Sequence, residues 1–180
     1  MNPVLQAIRD RRSIRGYTPE PLQPEQLEKI LQAALEAPSA RNTQPWHFSA
    51  VTNQALLDEF DADFHEITRA TRDLKDSYHL FFHAPAVVFL STPEQAPTSF
   101  SQIDCGIAVE NMALAAQSLG LGSVILGMPK DVFLSPRGEY YRRKMDFPEG
   151  YQFAIAIALG NPATTKDAHP IQEGLISYIR

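Results

Sequence analysis

The stretch QIDCGIAVENMALAAQSLG, Gln102 to Gly120, decides the fold. Ile103, Ile107, Ala108, Val109, Met112, Ala115, Ala116 and Leu119 distribute apolar surface almost all the way round a helix. A helix with so narrow a polar face has to be covered on several sides. Gly120 is a natural stop, because glycine adopts the left-handed conformation that closes a helix without steric cost. In a chain of 180 residues, the pattern predicts burial against the chain's own sheet and against a second copy of the chain.

Downstream of this helix, Ser123 to Leu126 and Gln152 to Leu159 read as strands. In the second, Phe153, Ile155, Ile157 and Leu159 alternate with small residues. Upstream, Ala86 to Leu90 is the β-branched and aromatic run of a buried strand, and Trp46 to Val51 alternates as a strand does. Three further helices are predicted. One opens at Asn2-Pro3 and runs through Ile8, a cap followed by proline at the first helical position. The next begins at Pro24, repeats Leu27, Ile30, Leu31, Ala34 and Leu35, and stops before Pro38. The last covers Gln54 to Lys75. No repeat or long Gly/Ser linker interrupts the order, and prolines fall mostly between periodic segments, so residues 1–180 are expected to form one mixed α and β domain.

Composition narrows the function. The 44% hydrophobic content suffices for a real core, and a net charge of −5 argues against a surface that tracks nucleic-acid phosphates. Any phosphate site must be local. Cys105 is the single cysteine, which excludes an internal disulfide and a multi-cysteine zinc site and fits a reducing, cytoplasmic setting. The amino terminus lacks the basic-then-apolar order of a secretory signal, and the longest apolar runs are too short to span a bilayer, so neither export nor a membrane partner is expected.

Two short stretches carry candidate chemistry. Arg9, Arg11, Arg12 and Arg15 put four guanidinium groups within seven positions of an acidic chain. Cations at a helix end relieve its dipole, and a solvated helix end accounts for them. A phosphate site accounts for them equally well, since arginine forks match phosphate oxygens and the Ser13 hydroxyl adds a short donor. The second stretch, Pro38-Ser39-Ala40-Arg41-Asn42-Thr43-Gln44-Pro45-Trp46, ends in an aromatic-proline pair that belongs against the core. Asn42 and Gln44 then project from a stiff loop, and their amides suit the edge of a uracil-like ring, although ordinary turn duty explains them too.

Other features are weaker. Ile125 stands where the third glycine of a G-x-G-x-x-G fingerprint belongs, so a Rossmann-type dinucleotide site is not supported; the glycines at 120, 122 and 127 instead let backbone approach something flat near Leu126 and Gly127. His79 and His83 have zinc-ligand spacing, but Leu80 replaces the glutamate of H-E-x-x-H, and packing beside Phe81 and Phe82 is the simpler reading. Cys105 lies in the most apolar helix, where a cysteine is usually inert. Arg137, Arg142, Arg143 and Lys144, with Glu139 and Asp146, read as a solvated face.

Taken together, Arg11 to Arg15, Pro38 to Trp46, and the apolar helix followed by Gly120-Leu121-Gly122 resemble the FMN-binding nitroreductase family, in the same order and over nearly the whole chain. The resemblance implies an α+β fold with a central, mainly antiparallel sheet flanked by helices, and an intertwined homodimer with two FMN sites at the subunit interface. It implies that Arg11, Arg12, Ser13 and Arg15 hold the phosphate. Pro38, Ser39, Ala40 and Asn42 of the other subunit, with Gln44 nearby, would line the flavin, and the backbone at Leu126 and Gly127 would face its ring. Lys166 stands where the family adds a basic residue to the phosphate, while Ala168 occupies the place of a second one. Lys75, Asp76 and His79 are all candidates for the pyrimidine side. Thr92 to Ser101 is short where larger relatives carry a helical excursion.

The activity implied is an enzyme's: hydride passes from NAD(P)H to the flavin and then, in ping-pong order, to an electron-poor small molecule such as a nitroaromatic or a quinone. Dehalogenation, azoline oxidation or flavin fragmentation, known on the same family site, and a flavin-handling module without efficient turnover are the alternatives.

Overall fold

The structure is a computed structural model that describes residues 2–75 and 77–180; Asp76, one of the pyrimidine-side candidates, lies outside the described residues. Four antiparallel strands form one sheet in the order β1-β2-β4-β3, with β1 at His47–Val51, β2 at Ala86–Pro93, β3 at Gly122–Leu126 and β4 at Tyr151–Gly160. Alternation along a strand divides the core between the two faces. Val87 and Phe89 of β2 point into one cluster, and Ala86, Val88 and Leu90 into the other.

The first cluster is covered by α3 (Gln54–Thr68), α5 (Lys130–Phe133) and α6 (Gly138–Lys144). Phe60 sits at its centre, with ring centroids 4.5 to 5.8 Å from Phe81, Phe89, Phe133 and Tyr141. Helix α3 stops at Thr68, well short of the Lys75 expected from the apolar spacing. The cause is local. The Thr68 hydroxyl donates to the Phe64 carbonyl at 2.7 Å, and the amides of Thr71 and Arg72 turn back onto the Thr68 carbonyl, which ends the ladder.

The other face carries α2 (Pro24–Leu35) and the long helix α4 (Ser101–Ser118), with α1 (Pro3–Asp10) packed on α4. The Asn2 side chain accepts from the Val4 amide at 2.8 Å, and Pro3 follows at the first turn, as the sequence predicts. Within α4, Cys105, Ala108, Val109, Met112, Ala113 and Ala116 are buried against the sheet and α2, whereas Ile103 and Ile107 are exposed. Gly120 has a φ of 76°, and the Leu121 amide returns to the Ala116 carbonyl at 2.9 Å to close the helix. The basic stretch predicted as a solvated face is partly structural. It forms α6, whose Tyr141 is fully buried, while Arg137 pairs with Asp63 at 2.7 Å and Glu59 at 2.9 Å on α3. After Gly160 the chain leaves the sheet as an extended, exposed tail.

Candidate active site

The arginine segment begins inside α1 and leaves it along the sheet edge. Ser13 bridges Ser123 in parallel, and the Ile14 amide donates to the Ser123 carbonyl at 2.9 Å. The segment can lie this close because Gly122 has no side chain; a Cβ there would meet Ile14 atoms at 3.1 Å. Tyr17, buried beside Gly160, donates its hydroxyl to the Ile14 carbonyl at 2.8 Å, and burial raises its phenol well above the ordinary range. The backbone from Ser13 to Tyr17 is therefore anchored at both ends.

The guanidinium groups then divide in role. Arg11 pairs with Glu110 of α4 at 3.2 Å. Arg12 donates to the carbonyls of Arg9 at 2.6 Å and Arg11 at 2.8 Å, which is the helix-end duty weighed from the sequence. Arg15 is exposed and lies over the Phe82 ring, 5.9 Å from its centroid. Lys166 is exposed in the tail, which is tied back to the segment by Ala163 donating to Gly16 at 2.9 Å.

The loop from Pro38 to Gln44 is held elsewhere, at the amino-terminal end of α4. Its centre is one 3-10 turn, Ala40–Asn42. Arg41, Asn42 and Gln44 all have positive φ, of 55°, 55° and 45°. Non-glycine residues adopt such angles infrequently, asparagine most readily, and local bonds help to hold them. Here the constraint comes from side-chain acceptors: Ser39 Oγ takes the Gln44 amide at 2.9 Å and Asp104 Oδ1 takes the Ala40 amide at 3.1 Å. Trp46, buried as expected, anchors the exit. Gln44 Nε2 donates to Asn42 Oδ1 at 3.1 Å. That pairing leaves the Asn42 amino group free to donate and the Gln44 amide oxygen free to accept, and both residues are exposed. A cavity of about 210 Å³ lies next to the loop, walled by Ala40, Arg41 and Pro97 to Phe100.

Leu126 and Gly127 end β3, away from the Gly122 end where the arginine segment sits. Gly127 is exposed, and a Cβ added there would meet nothing within 4 Å, so its backbone is open to approach from outside. From Ser123 to Leu126 the strand rises about 10 Å, a span that separates an anion at one end from a ring at the other.

The remaining candidates resolve into structural roles. His79 Nδ1 accepts from the Phe81 amide at 3.1 Å, its Nε2 faces Asp58 at 3.4 Å, and its ring packs against that of His83, tilted by 42° with centroids 4.1 Å apart. Burial lowers its pKa against the raising pull of Asp61. Cys105 is fully buried with its thiol toward the Pro45 carbonyl, and desolvation pushes it up to about 11. A thiol so protonated is a poor nucleophile at neutral pH. What the sequence reading missed are the partners of the motifs: Asp104, Glu110 and Tyr17. The signal was present, since Asp104 and Glu110 are the only charged residues in α4.

The fold is thus an α+β sheet with the arginine segment on one edge, the amide-bearing loop at the start of α4 and an exposed glycine just past the end of β3. The sequence model of the Nitroreductase family matches residues 8–161, and the chain belongs to that family. A relative from Archaeoglobus fulgidus, provisionally named NADH dehydrogenase/NAD(P)H nitroreductase, is 35% identical over 170 residues, covering 93% of this chain and 90% of its own length. Crystal structures of nitroreductases with bound FMN from Desulfitobacterium hafniense DCB-2 and from Bacteroides fragilis each match with a TM-score of 0.92 and cover 100% of both chains, at 32% and 28% identity.

Proposed function

We propose that residues 1–180 form a single FMN-binding domain that works as a homodimer and passes hydride from NAD(P)H, by way of FMN, to an electron-poor acceptor such as a nitroaromatic or a quinone. Membership of the nitroreductase family makes the chain an NAD(P)H-dependent oxidoreductase, and FMN is its cofactor. The observation that carries the site assignment is the open space beside Gly127 at one end of a strand whose other end carries the arginine segment. These residues fit FMN: a cationic end for its phosphate, a bare backbone for its ring and an amide pair matching its pyrimidine edge.

Arg11, Arg12, Ser13 and Arg15 hold the phosphate, with Lys166 of the tail adding charge as the chain wraps the dimer. Leu126 and Gly127 support the ring. Pro38, Ser39, Ala40, Asn42 and Gln44 reach it from the second copy. The geometry of α4 supports that division. Asp104 and Glu110, which hold the loop and Arg11 respectively, are six residues apart, so they stand about 9 Å along the helix and about 120° around it from one another. Within one chain the loop and the arginine segment thus face different ways, and a second copy brings a loop to each arginine segment. Exposed apolar side chains mark the contact: Val4, Leu5 and Ile8 on α1, Ile103 and Ile107 on α4, and Ile171, Leu175 and Ile176 on the tail. Two of these side chains, Ile103 and Ile107, belong to the helix whose all-round apolar pattern predicted a partner.

When bound, FMN supplies reversible hydride transfer at N5. The chain's own residues need only orient the ring, exclude water from its buried face and place donors where negative charge gathers on reduction. No helix among the described residues is long and apolar enough to cross a membrane, and a single, unpaired cysteine supports a reducing, cytoplasmic setting. The test is a visible spectrum of the purified protein before and after anaerobic NADH or NADPH. A yellow dimer that bleaches and then recovers its colour with a nitroaromatic or quinone supports the reading. A folded dimer that binds no added FMN, or a yellow one that never bleaches with either nucleotide, overturns it.

A further inference from the structure

Helix α4 carries two charges in eighteen residues, Asp104 and Glu110. Each is spent on one of the two motifs. Asp104 is only 3% exposed, and its Oδ1 accepts the Ala40 amide; its Oδ2 has no partner among the described residues. A carboxylate tolerates that depth in the first turn of a helix, where the backbone amides favour an anion. Glu110, at the surface, faces Arg11 at 3.2 Å.

We infer that α4 is the rigid element that sets the geometry of the cofactor site, with Glu110 the positioning residue for the phosphate end and Asp104 the positioning residue for the ring end. The inference rests on the FMN reading above. The physical argument differs between the two. Arg9, Arg11, Arg12 and Arg15 repel one another, and a free Arg11 side chain would swing toward solvent. Glu110 offsets that repulsion and fixes the guanidinium on α4, so that less side-chain entropy is lost when phosphate arrives. Its own negative charge opposes the phosphate only weakly, because the pair is partly exposed and screened. Asp104 acts on backbone. Two consecutive residues of the loop, Arg41 and Asn42, hold positive φ immediately after Ala40. Without an acceptor for the Ala40 amide, the loop relaxes and the Asn42–Gln44 amide pair loses its orientation.

FMN and riboflavin distinguish these roles, because riboflavin lacks the phosphate. Both are titrated into apo-dimer by fluorescence quenching, with circular dichroism and a melting curve on each variant. E110A is expected to weaken FMN about threefold to fivefold, the size of an exposed ion pair, and to leave riboflavin unchanged. In an R11A background, E110A is expected to add nothing, because Glu110 acts through Arg11. D104A is expected to weaken both flavins by the same factor, on the order of tenfold, whereas D104N, whose carbonyl oxygen still accepts the Ala40 amide, keeps wild-type affinity. Should D104A not fold, Ala40→Pro deletes the same hydrogen bond from the donor side; Ser39 has ψ of 154°, which accommodates a following proline, and the equal loss is expected there. Tighter FMN binding by E110A, an unchanged FMN to riboflavin ratio, or additive effects of E110A and R11A would overturn the phosphate-end assignment. Wild-type affinity in D104A or Ala40→Pro would overturn the ring-end assignment. In each case wild-type FMN binding stands, so the proposed function survives; a wild type that binds no FMN sinks both.

Discussion

The two halves of the candidate site are held by opposite means. From Arg11 to Tyr17 the backbone is extended, bonded to Ser123 and pinned by the Tyr17 hydroxyl, and the work is left to charged side chains. From Pro38 to Gln44 the side chains hold the backbone, with Ser39 and Asp104 accepting amides around three left-handed residues. The first half therefore presents its charged side chains from a fixed backbone. The second depends on its side-chain acceptors to keep the backbone in shape.

Arg11→Ala tests the first half with the largest effect. Loss of a charge-assisted contact to phosphate is worth about 1.5–3 kcal/mol, roughly tenfold to over a hundredfold in FMN affinity, with riboflavin affinity and melting temperature almost unchanged. High salt should weaken FMN in the wild type and much less in this variant. Unchanged FMN affinity in an intact dimer breaks the phosphate assignment.

Ser39→Ala tests the second half. Removing the acceptor for the Gln44 amide costs about 1 kcal/mol; FMN and riboflavin should weaken alike, by several-fold, with the salt dependence preserved. A loss confined to FMN would erase the distinction between the halves.

Gly122→Ala probes how the arginine segment is seated. The new methyl group meets Ile14 at 3.1 Å while the Ile14 amide is tied to Ser123, so the segment must shift, at a cost of about 1 kcal/mol. A melting temperature lower by a few degrees, with riboflavin binding retained, is the expected result; an unchanged melting temperature would show the segment to be loosely seated.

The smallest effect concerns Cys105, which belongs to neither half. Its pKa is raised to about 11 by burial, so the folded state keeps the thiol protonated while the unfolded chain ionises near 9. The stability this contributes is fully present below pH 9 and is lost as pH rises toward 11. The melting temperature of the wild type should therefore fall more steeply across that window than that of Cys105→Ala, and Cys105→Ser should retain NAD(P)H oxidation. Abolished turnover in a folded Cys105→Ser would revive the thiol as a catalytic group.

Much of this was legible from local pattern. The strand at Ala86, the caps at Asn2-Pro3 and Gly120, and the buried Trp46 follow from periodicity and from residues whose backbone preferences are strong. The early end of α3 at Thr68 was not legible, because a threonine hydroxyl capturing a carbonyl leaves no mark in hydrophobic spacing. Nor was the split among the arginines. Arg12 caps a helix and Arg11 meets Glu110, and four arginines within seven positions carry nothing that separates these fates.

Local pattern along the chain was enough for the class of fold, the two motifs and, through an apolar helix with nowhere to hide, the demand for a further surface. Those properties are set by short-range sterics and by the balance of apolar against polar surface, which any reader of the chain can total. Only the tertiary structure decided that Gly122 makes room for Ile14 and that the two carboxylates of α4 each hold one motif. Only there did the motifs prove to face different sides of that helix. Such facts depend on which residues distant in the chain become neighbours, and a hydrogen bond across sixty-four positions, like that from Ala40 to Asp104, exists only once the helix is in place.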